Sequence, residues 1–96
     1  MSRRHYIVTY DISDDKRRDT VYRILLGHGD WAQFSVFFCE LTDRELVELR
    51  TRLRASIHAQ QDQILIVDLG RAARPLQLGL ECIGRAYEPT TRVVVV

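Results

Sequence analysis

The sequence has few of the features that mark a membrane or secreted protein. No part of the 96 residues approaches the roughly 18 consecutive apolar residues that a transmembrane helix needs. Arg3 and Arg4 are similar to the basic start of a signal peptide. Thr9, Tyr10 and Asp11 interrupt the apolar stretch that follows, too early for a signal sequence. We therefore expect no association with a membrane.

Cysteine is scarce, and its spacing indicates neither a disulfide framework nor a metal site. Cys39 and Cys82 are the two cysteines, and they form no CxxC pair and no Cys/His ligand pattern. Both lie among apolar neighbours in the sequence and are predicted to be buried, reduced thiols. Reduced thiols suit the cytoplasm, which is the predicted location.

Excess charge and the common catalytic motifs are also missing. The net charge is +1, so any affinity for nucleic acid has to come from a local basic patch. The chain has no phosphate-binding glycine loop, no dinucleotide fingerprint and no serine in a nucleophile elbow. Its three histidines show no spacing typical of a relay or a metal site. These absences disfavour a kinase, a dehydrogenase or an acyl-transfer enzyme.

The apolar periodicity that is present predicts one α+β domain over residues 1–96. Thr42 and Glu45 form a capping box in front of the second of two predicted helices. The helices are predicted at 14–28 and 43–58, and the strands at 5–12, 31–41, 63–69, 80–83 and 91–96. Two helices alternating with a small sheet favour a ferredoxin-like βαββαβ sandwich with an added C-terminal strand.

Strand alternation predicts a sheet with one face against the helices and the other left open. Phe34 and Phe38 are assigned to the core face. The predicted open face carries Ile7, Thr9, Phe37 and Leu65. Because an apolar face is unfavourable in water, a homodimer that covers it is expected.

Asp11 is the residue that most strongly suggests a metal-binding or catalytic role. Aspartate is unfavourable in an apolar strand, yet it stands at the end of the first one, before Asp14 and Asp15. One interpretation is a ligand for Mg²⁺ or Mn²⁺, which prefer oxygen ligands. The other interpretation is a cap for the helix that follows. Asp14 and Asp15 are expected to stabilise that helix start.

Two groups of basic residues are candidates for phosphate binding. Lys16, Arg17 and Arg18 follow the strand-end carboxylates, and Arg50 and Arg54 lie on the outer face of the second predicted helix. Each group has a simpler interpretation as a solvated charged surface, and the residues alone leave the choice open.

Several segments together resemble the Cas-two family of CRISPR-associated proteins. They are YIVTYDI at 6–12, DKRR at 15–18, Gly29 and QFSVF at 33–37. The resemblance implies a ferredoxin-like fold, a homodimer with the sheets face to face, and a division of segment 31–41 near Ser35. It also implies that the C-terminal extension, residues 78–96, packs on the partner subunit.

The resemblance further implies a function and a site. Asp11 corresponds to the metal-binding and catalytic aspartate of a Mg²⁺-dependent nuclease, with Mn²⁺ as an alternative metal. The substrate would be single-stranded RNA or double-stranded DNA. Ser35 and Phe37 would lie close to Asp11, with Phe37 at the dimer interface or in the wall of the site. The implied partner is the CRISPR integrase, Cas-one, during spacer acquisition.

The alternative function is a non-catalytic dimer that holds duplex DNA for the integrase. Two further classes of function have less support in the sequence. A regulatory domain that binds a metabolite would be expected to have a glycine-rich ligand loop, which is missing. An RNA-binding sheet that stacks bases on its aromatic residues would carry a Lys/Arg-Gly-Phe block, which is also missing.

Overall fold

In the computed structural model, which describes residues 2–88, four strands and two helices form along the chain. The strands are β1 (Arg4–Asp11), β2 (Gly29–Gln33), β3 (Val36–Leu41) and β4 (Gln63–Arg71), and the helices are α1 (Asp15–Leu26) and α2 (Asp43–Ser56). A short 3₁₀ helix, Leu76–Gly79, follows β4. The strand predicted at 91–96 lies outside the described residues, and no strand forms at 80–83, so that prediction was wrong.

The sheet confirms the predicted ferredoxin-like fold. Its strand order is β2-β3-β1-β4, and each neighbouring pair is antiparallel. Helices α1 and α2 pack on one face of the sheet, where their apolar stripes meet the buried side chains of β1 and β3. Among the described residues, no helix is both long enough and apolar enough to span a bilayer.

Side-chain caps define where the helices begin. The Asp14 carboxylate accepts a hydrogen bond from the Arg17 amide at 2.9 Å, so Asp14 is the N-cap of α1. At α2 the predicted capping box is present. The Glu45 amide donates to the Thr42 hydroxyl at 3.2 Å, and the Thr42 amide donates to the Glu45 carboxylate at 2.9 Å.

The segment predicted as one long strand forms a hairpin, which confirms the division near Ser35. Phe34 and Ser35 form the turn between β2 and β3. The predicted faces of the phenylalanines were wrong. Phe37 lies opposite buried Val8 and is itself fully buried, whereas Phe38 is half-buried on the other face and Phe34 is exposed in the turn. Alternation divides the side chains of a strand between two faces. The pairing of β3 with β1 decides which of its faces is buried.

The second face of the sheet, called the open face from here on, is apolar. Ile7 lies between Phe38 of β3 and Val67 of β4, and Thr9 lies between Val36 and Leu65. The prediction for Ile7, Thr9 and Leu65 is therefore confirmed. Leu65, Val67 and Leu69 remain 46–52% exposed.

The segment after β4 partly covers one edge of the open face. The ring of Tyr87 packs against Phe38 with their centroids 5.7 Å apart. Cys82, in the same segment, is exposed, and its thiol donates to the Arg85 carbonyl at 3.1 Å. Cys39 is buried as predicted, but the prediction of a buried Cys82 was wrong, because its neighbours form no strand that packs into the core.

Candidate functional site at the end of β1

Asp11 is the last residue of β1 and lies exposed at one end of the sheet. It is opposite Gln63 of β4 and on the same face of β1 as Ile7 and Thr9, so it borders the open face. Its carboxylate has no hydrogen bond or ion pair with any residue between 2 and 88. The capping interpretation of Asp11 is wrong, because Asp14 is the N-cap of α1. Asp11 is therefore free to bind a ligand.

Arg18 fixes the backbone that follows Asp11. Its Nη1 donates to the carbonyls of Ile12 at 3.1 Å and Ser13 at 3.3 Å, and its Nη2 contacts the Asp15 carboxylate. These three contacts hold the loop between β1 and α1 in one conformation. The same contacts turn the guanidinium toward the protein, so Arg18 positions the loop instead of presenting a free cation.

Arg17 is likewise bound inside the protein. Its Nε and Nη2 donate to the two carboxylate oxygens of Asp62 at 2.6 and 3.1 Å, and Asp62 also accepts from the His58 amide at 2.8 Å. The Asp62 side chain is fully buried. The hydrogen bond from Arg17 holds the pKa of Asp62 below its usual range, although burial acts in the opposite direction. This pair ties α1 to the connection between α2 and β4.

Lys16 differs from its two neighbours. It is exposed, and within residues 2–88 its ammonium group has no ion pair. Of the three residues predicted to bind phosphate near Asp11, Lys16 is therefore the one available to an external anion. The sequence did not indicate the role of Asp62, because its partner lies 45 positions away in the chain.

Ser35 and Phe37 occupy different layers of the region. The Ser35 carbonyl accepts from the Tyr10 amide at 3.1 Å, which brings the β2–β3 turn beside the residue that precedes Asp11. Phe37 is fully buried, and its ring packs on Tyr22 and Tyr10 with centroids 5.6 and 6.4 Å apart. The predicted place of Phe37 in an interface or site wall was wrong, because its side chain supports the strand end from within the core.

Arg50 and Arg54 lie away from Asp11. They are exposed on α2, on the helical side of the sheet, whereas Asp11 borders the open face. Neither guanidinium has an ion pair within the described part of the chain, whereas Arg44 of the same helix lies 3.7 Å from Glu48. Arg50 and Arg54 therefore lie on the opposite side of the sheet from Asp11.

The donor set near Asp11 fits a hydrated hard cation. Within residues 2–88, no three His, Cys, Asp or Glu side chains are grouped to hold a metal. The nearby carbonyls of Ile12 and Ser13 already accept from Arg18. One protomer thus offers one carboxylate, and Mg²⁺ is commonly held by one or two carboxylates together with waters and phosphate oxygens.

Comparisons with known proteins identify one family of relatives and similar solved structures. A family model described as CRISPR associated protein Cas2 matches residues 4–74. CRISPR-associated endoribonuclease Cas2 1 of Rhodospirillum rubrum is 35% identical over 95% of this chain and 88% of its own length. CRISPR-associated endonuclease Cas2 2 of Thermus thermophilus is 38% identical over 82% of this chain and 88% of its own length. The crystal structure of Streptococcus pyogenes Cas2 superposes with a TM-score of 0.71 at 30% identity, covering 83% of this chain and 99% of that one.

Proposed function

This chain belongs to the Cas2 family of CRISPR-associated proteins, and we propose that it is a Mg²⁺- or Mn²⁺-dependent endonuclease of CRISPR adaptation. The substrate is single-stranded RNA or double-stranded DNA, and the protein acts in the cytoplasm as a homodimer and partner of the Cas-one integrase. The observation that carries the proposal is the carboxylate of Asp11, which is exposed at the end of the central strand β1 and has no ion pair or hydrogen bond among residues 2–88.

The open face supports the homodimer in this proposal. A large exposed apolar patch on a small protein is normally an interface, and Leu65, Val67 and Leu69 are each about half exposed. A second copy that covers this face across a two-fold axis brings two identical edges together. Because Asp11 borders the open face, two Asp11 carboxylates can then share one cation.

Each residue near the site has a definite task in this proposal. A divalent cation held there would supply polarisation of the scissile phosphate and a bound water of lowered pKa. Asp11 holds the cation, and Arg18 keeps the loop behind Asp11 rigid. Lys16 attracts the nucleic-acid backbone, since it is an exposed cation in the first turn of α1 without an ion pair among residues 2–88.

The test compares wild type with Asp11→Asn, which removes the charge and keeps the shape. We expect Asp11→Asn to lower cleavage about a hundredfold or more, because the ligand for the cation is lost. Cleavage of single-stranded RNA and of duplex DNA is measured with Mg²⁺, with Mn²⁺ and with EDTA. The matched control is Asp43→Asn, an exposed carboxylate near Arg4, at the opposite end of β1.

The outcomes of this test distinguish a nuclease from a non-catalytic scaffold for the integrase. Cleavage by wild type and Asp43→Asn alone, and only with metal, supports the proposal and identifies the substrate. Equal cleavage by all three proteins contradicts a role for Asp11. If no protein cleaves, the enzyme proposal is wrong and the integrase scaffold takes its place.

The scaffold is the second candidate because Arg50 and Arg54 are exposed and free of ion pairs within the described residues. The same protein preparations test it by binding to duplex DNA. Replacing Arg50 and Arg54 with alanine should weaken binding and reduce its salt dependence, by a slope of about 0.9 for each phosphate that the protein no longer neutralises. Arg44→Ala is the matched control, since Arg44 is already near Glu48.

A further inference from the structure

The turn between β2 and β3 presents an aromatic side chain to solvent at a conformational cost. Phe34 is 90% exposed, and its backbone has φ of 33°, in the left-handed region. Residues with a Cβ avoid that region, and an exposed ring gains little from packing. Phe34 therefore contributes little to folding through its side chain, which points to a use outside the fold.

The conformation of this turn is held from both sides. The Trp31 indole Nε1 donates to the Phe34 carbonyl at 2.8 Å. The Tyr10 amide donates to the Ser35 carbonyl at 3.1 Å, which joins the turn to the end of β1. The Phe34 ring is thus presented from a fixed backbone, in contrast to a ring on a freely moving loop.

A cavity of about 480 Å³ lies between this turn and α1. Its walls include Tyr10, Tyr22, Arg18 and Ser35, and Phe34 is among its lining residues. Tyr10 is buried in this wall, and burial raises the pKa of its hydroxyl. Pockets for small ligands occupy about 300–1,000 Å³ and combine apolar walls with a few polar groups. This cavity has both properties.

The charged side chains of the cavity favour a neutral, hydrogen-bonding ligand. Asp15 and Asp19 also line it, and each is paired with an arginine, Asp15 with Arg18 and Asp19 with Arg23. Because each carboxylate is offset by its arginine, the cavity has no excess charge to hold a phosphate and favours a neutral ligand. The tyrosine and serine hydroxyls in its walls can hydrogen-bond to the polar edge of a ligand, which an apolar peptide side chain does not offer. A flat ring with polar edges satisfies both the aromatic and the polar groups.

We propose that this cavity binds one unpaired nucleobase of a single-stranded nucleic acid, which stacks on the ring of Phe34. The proposal rests on the proposed function, because the cavity and Asp11 lie at the same end of β1, on opposite faces of the sheet, and a strand whose base enters the cavity passes around that end to reach Asp11. Stacking on an aromatic side chain accepts any base, so the site contributes affinity and placement along the strand more than sequence preference.

The test uses a short single-stranded oligonucleotide that carries one 2-aminopurine, with EDTA present to prevent cleavage. The fluorescence of 2-aminopurine falls when it stacks on a ring. We expect wild type, Phe34→Tyr and Phe34→Trp to quench it and to bind with similar affinity. Loss of one stacked base corresponds to about 5- to 150-fold weaker binding, which we expect for Phe34→Leu and Phe34→Asn.

Phe34→Leu and Phe34→Asn separate the effect of losing the aromatic ring from the effect of the left-handed backbone conformation. Leucine keeps an apolar side chain without an aromatic face, and asparagine tolerates the left-handed conformation better than phenylalanine does. Both variants should remain folded, as judged by circular dichroism. Equal binding and quenching by wild type and Phe34→Leu would overturn the proposal, as would equally tight binding of the oligonucleotide with an abasic site in place of 2-aminopurine.

Sedimentation and cleavage assays show whether a negative result counts against the base site or against the nuclease proposal. If Phe34→Leu changes the sedimentation of the protein and leaves oligonucleotide binding unchanged, the ring is a protein contact and the base site is wrong. If quenching depends on Phe34 while neither wild type nor Asp11→Asn cleaves, the base site stands and the nuclease proposal fails. If wild type cleaves but quenching does not depend on Phe34, the nuclease proposal stands and the base site is wrong.

Discussion

At the scale of single residues, charge alone did not distinguish a structural cation from a ligand-binding one. Arg17 and Lys16 are neighbours in one basic run, yet Arg17 is bound to buried Asp62 and Lys16 is exposed. The difference arises from a partner 45 positions away, which the local sequence does not contain. A loss of activity in an Arg17 variant would therefore report on folding before it reported on phosphate binding.

We expect Asp62→Asn to lower the thermal unfolding midpoint by several degrees, because it leaves Arg17 without its ionised partner. The pKa of Asp62 is depressed in the folded state, so its contribution is fully present above the unfolded value of about 3.9. That contribution is lost as the pH falls through the lower folded value. The difference in free energy of unfolding between wild type and Asp62→Asn should thus be constant near neutral pH and shrink below about pH 4. Chemical denaturation across this range measures it.

The control for Asp62→Asn is Asp19→Asn. Asp19 pairs with Arg23 at 3.1 Å on the exposed side of α1, where such pairs contribute about 0.5 kcal/mol or less. If Asp19→Asn and Asp62→Asn destabilise the protein equally, the buried pair has no special importance and the structural role assigned to Arg17 is wrong.

The candidate site was predictable in part from the sequence. An aspartate that ends an apolar strand is unusual enough to make Asp11 a candidate site residue without a structure. The capping alternative for Asp11 remained open because Asp11, Asp14 and Asp15 all precede or begin the helix, and the hydrogen bond from the Arg17 amide to the Asp14 carboxylate decides among them. The cavity beside Phe34 was not predictable, since α1 and the turn meet only in the folded chain.

At the scale of elements, local signals located the helices and most strands. The capping box at Thr42 placed the start of α2 correctly, because both of its hydrogen bonds are local. The β2–β3 hairpin was harder, since its turn contains Phe34 and Ser35 and lacks the glycine or asparagine typical of turns. The assignment of Phe37 to the open face failed for a related reason: only the pairing with β1 shows which side is inside.

At Gly29, the first residue of β2, the neighbouring strand β3 leaves no room for a side chain. A Cβ at this position would lie 2.4 Å from the Cys39 Sγ and 2.5 Å from the Phe38 carbonyl oxygen. Gly29→Ala therefore has to push the strands apart, and we expect it to lower the free energy of unfolding by about 1–3 kcal/mol. Equilibrium unfolding in urea measures this change.

A matched glycine separates this clash from a general effect of alanine. At Gly79 the nearest atom to an added Cβ is the Arg74 Nη2 at 3.5 Å, an ordinary contact. Gly79→Ala should therefore leave stability nearly unchanged. In the Gly29→Ala background, Cys39→Ala should restore only part of the loss, because the Phe38 carbonyl remains in place. A stable Gly29→Ala protein would show that β2 can shift without cost.

At the scale of the whole molecule, one protomer leaves both its apolar face and its candidate metal site incomplete. The helices cover one side of the sheet, while the open face keeps Leu65, Val67 and Leu69 in contact with water. Asp11 at the border of that face is a single carboxylate. The homodimer in our proposal resolves both conditions, since one act of association buries the apolar side chains and pairs the carboxylates.

Val67→Glu is the substitution that tests this link most directly. Val67 lies opposite Ile7 within the open face and is 46% exposed, so a glutamate there is tolerated in a monomer but is buried without a partner in a dimer. We expect the dimer dissociation constant to rise about a hundredfold or more, as measured by sedimentation velocity over a concentration series.

The matched control is Val47→Glu, which introduces the same charge at a valine that is 57% exposed on α2, on the helical side of the sheet. It should leave the oligomeric state unchanged. If Val67→Glu remains a dimer, the open face is not the interface. If Val67→Glu becomes a folded monomer that still cleaves nucleic acid at the wild-type rate, one Asp11 is sufficient and the shared cation is wrong. Loss of dimerisation together with cleavage, in Val67→Glu and not in Val47→Glu, would mean that the site is completed by the second copy.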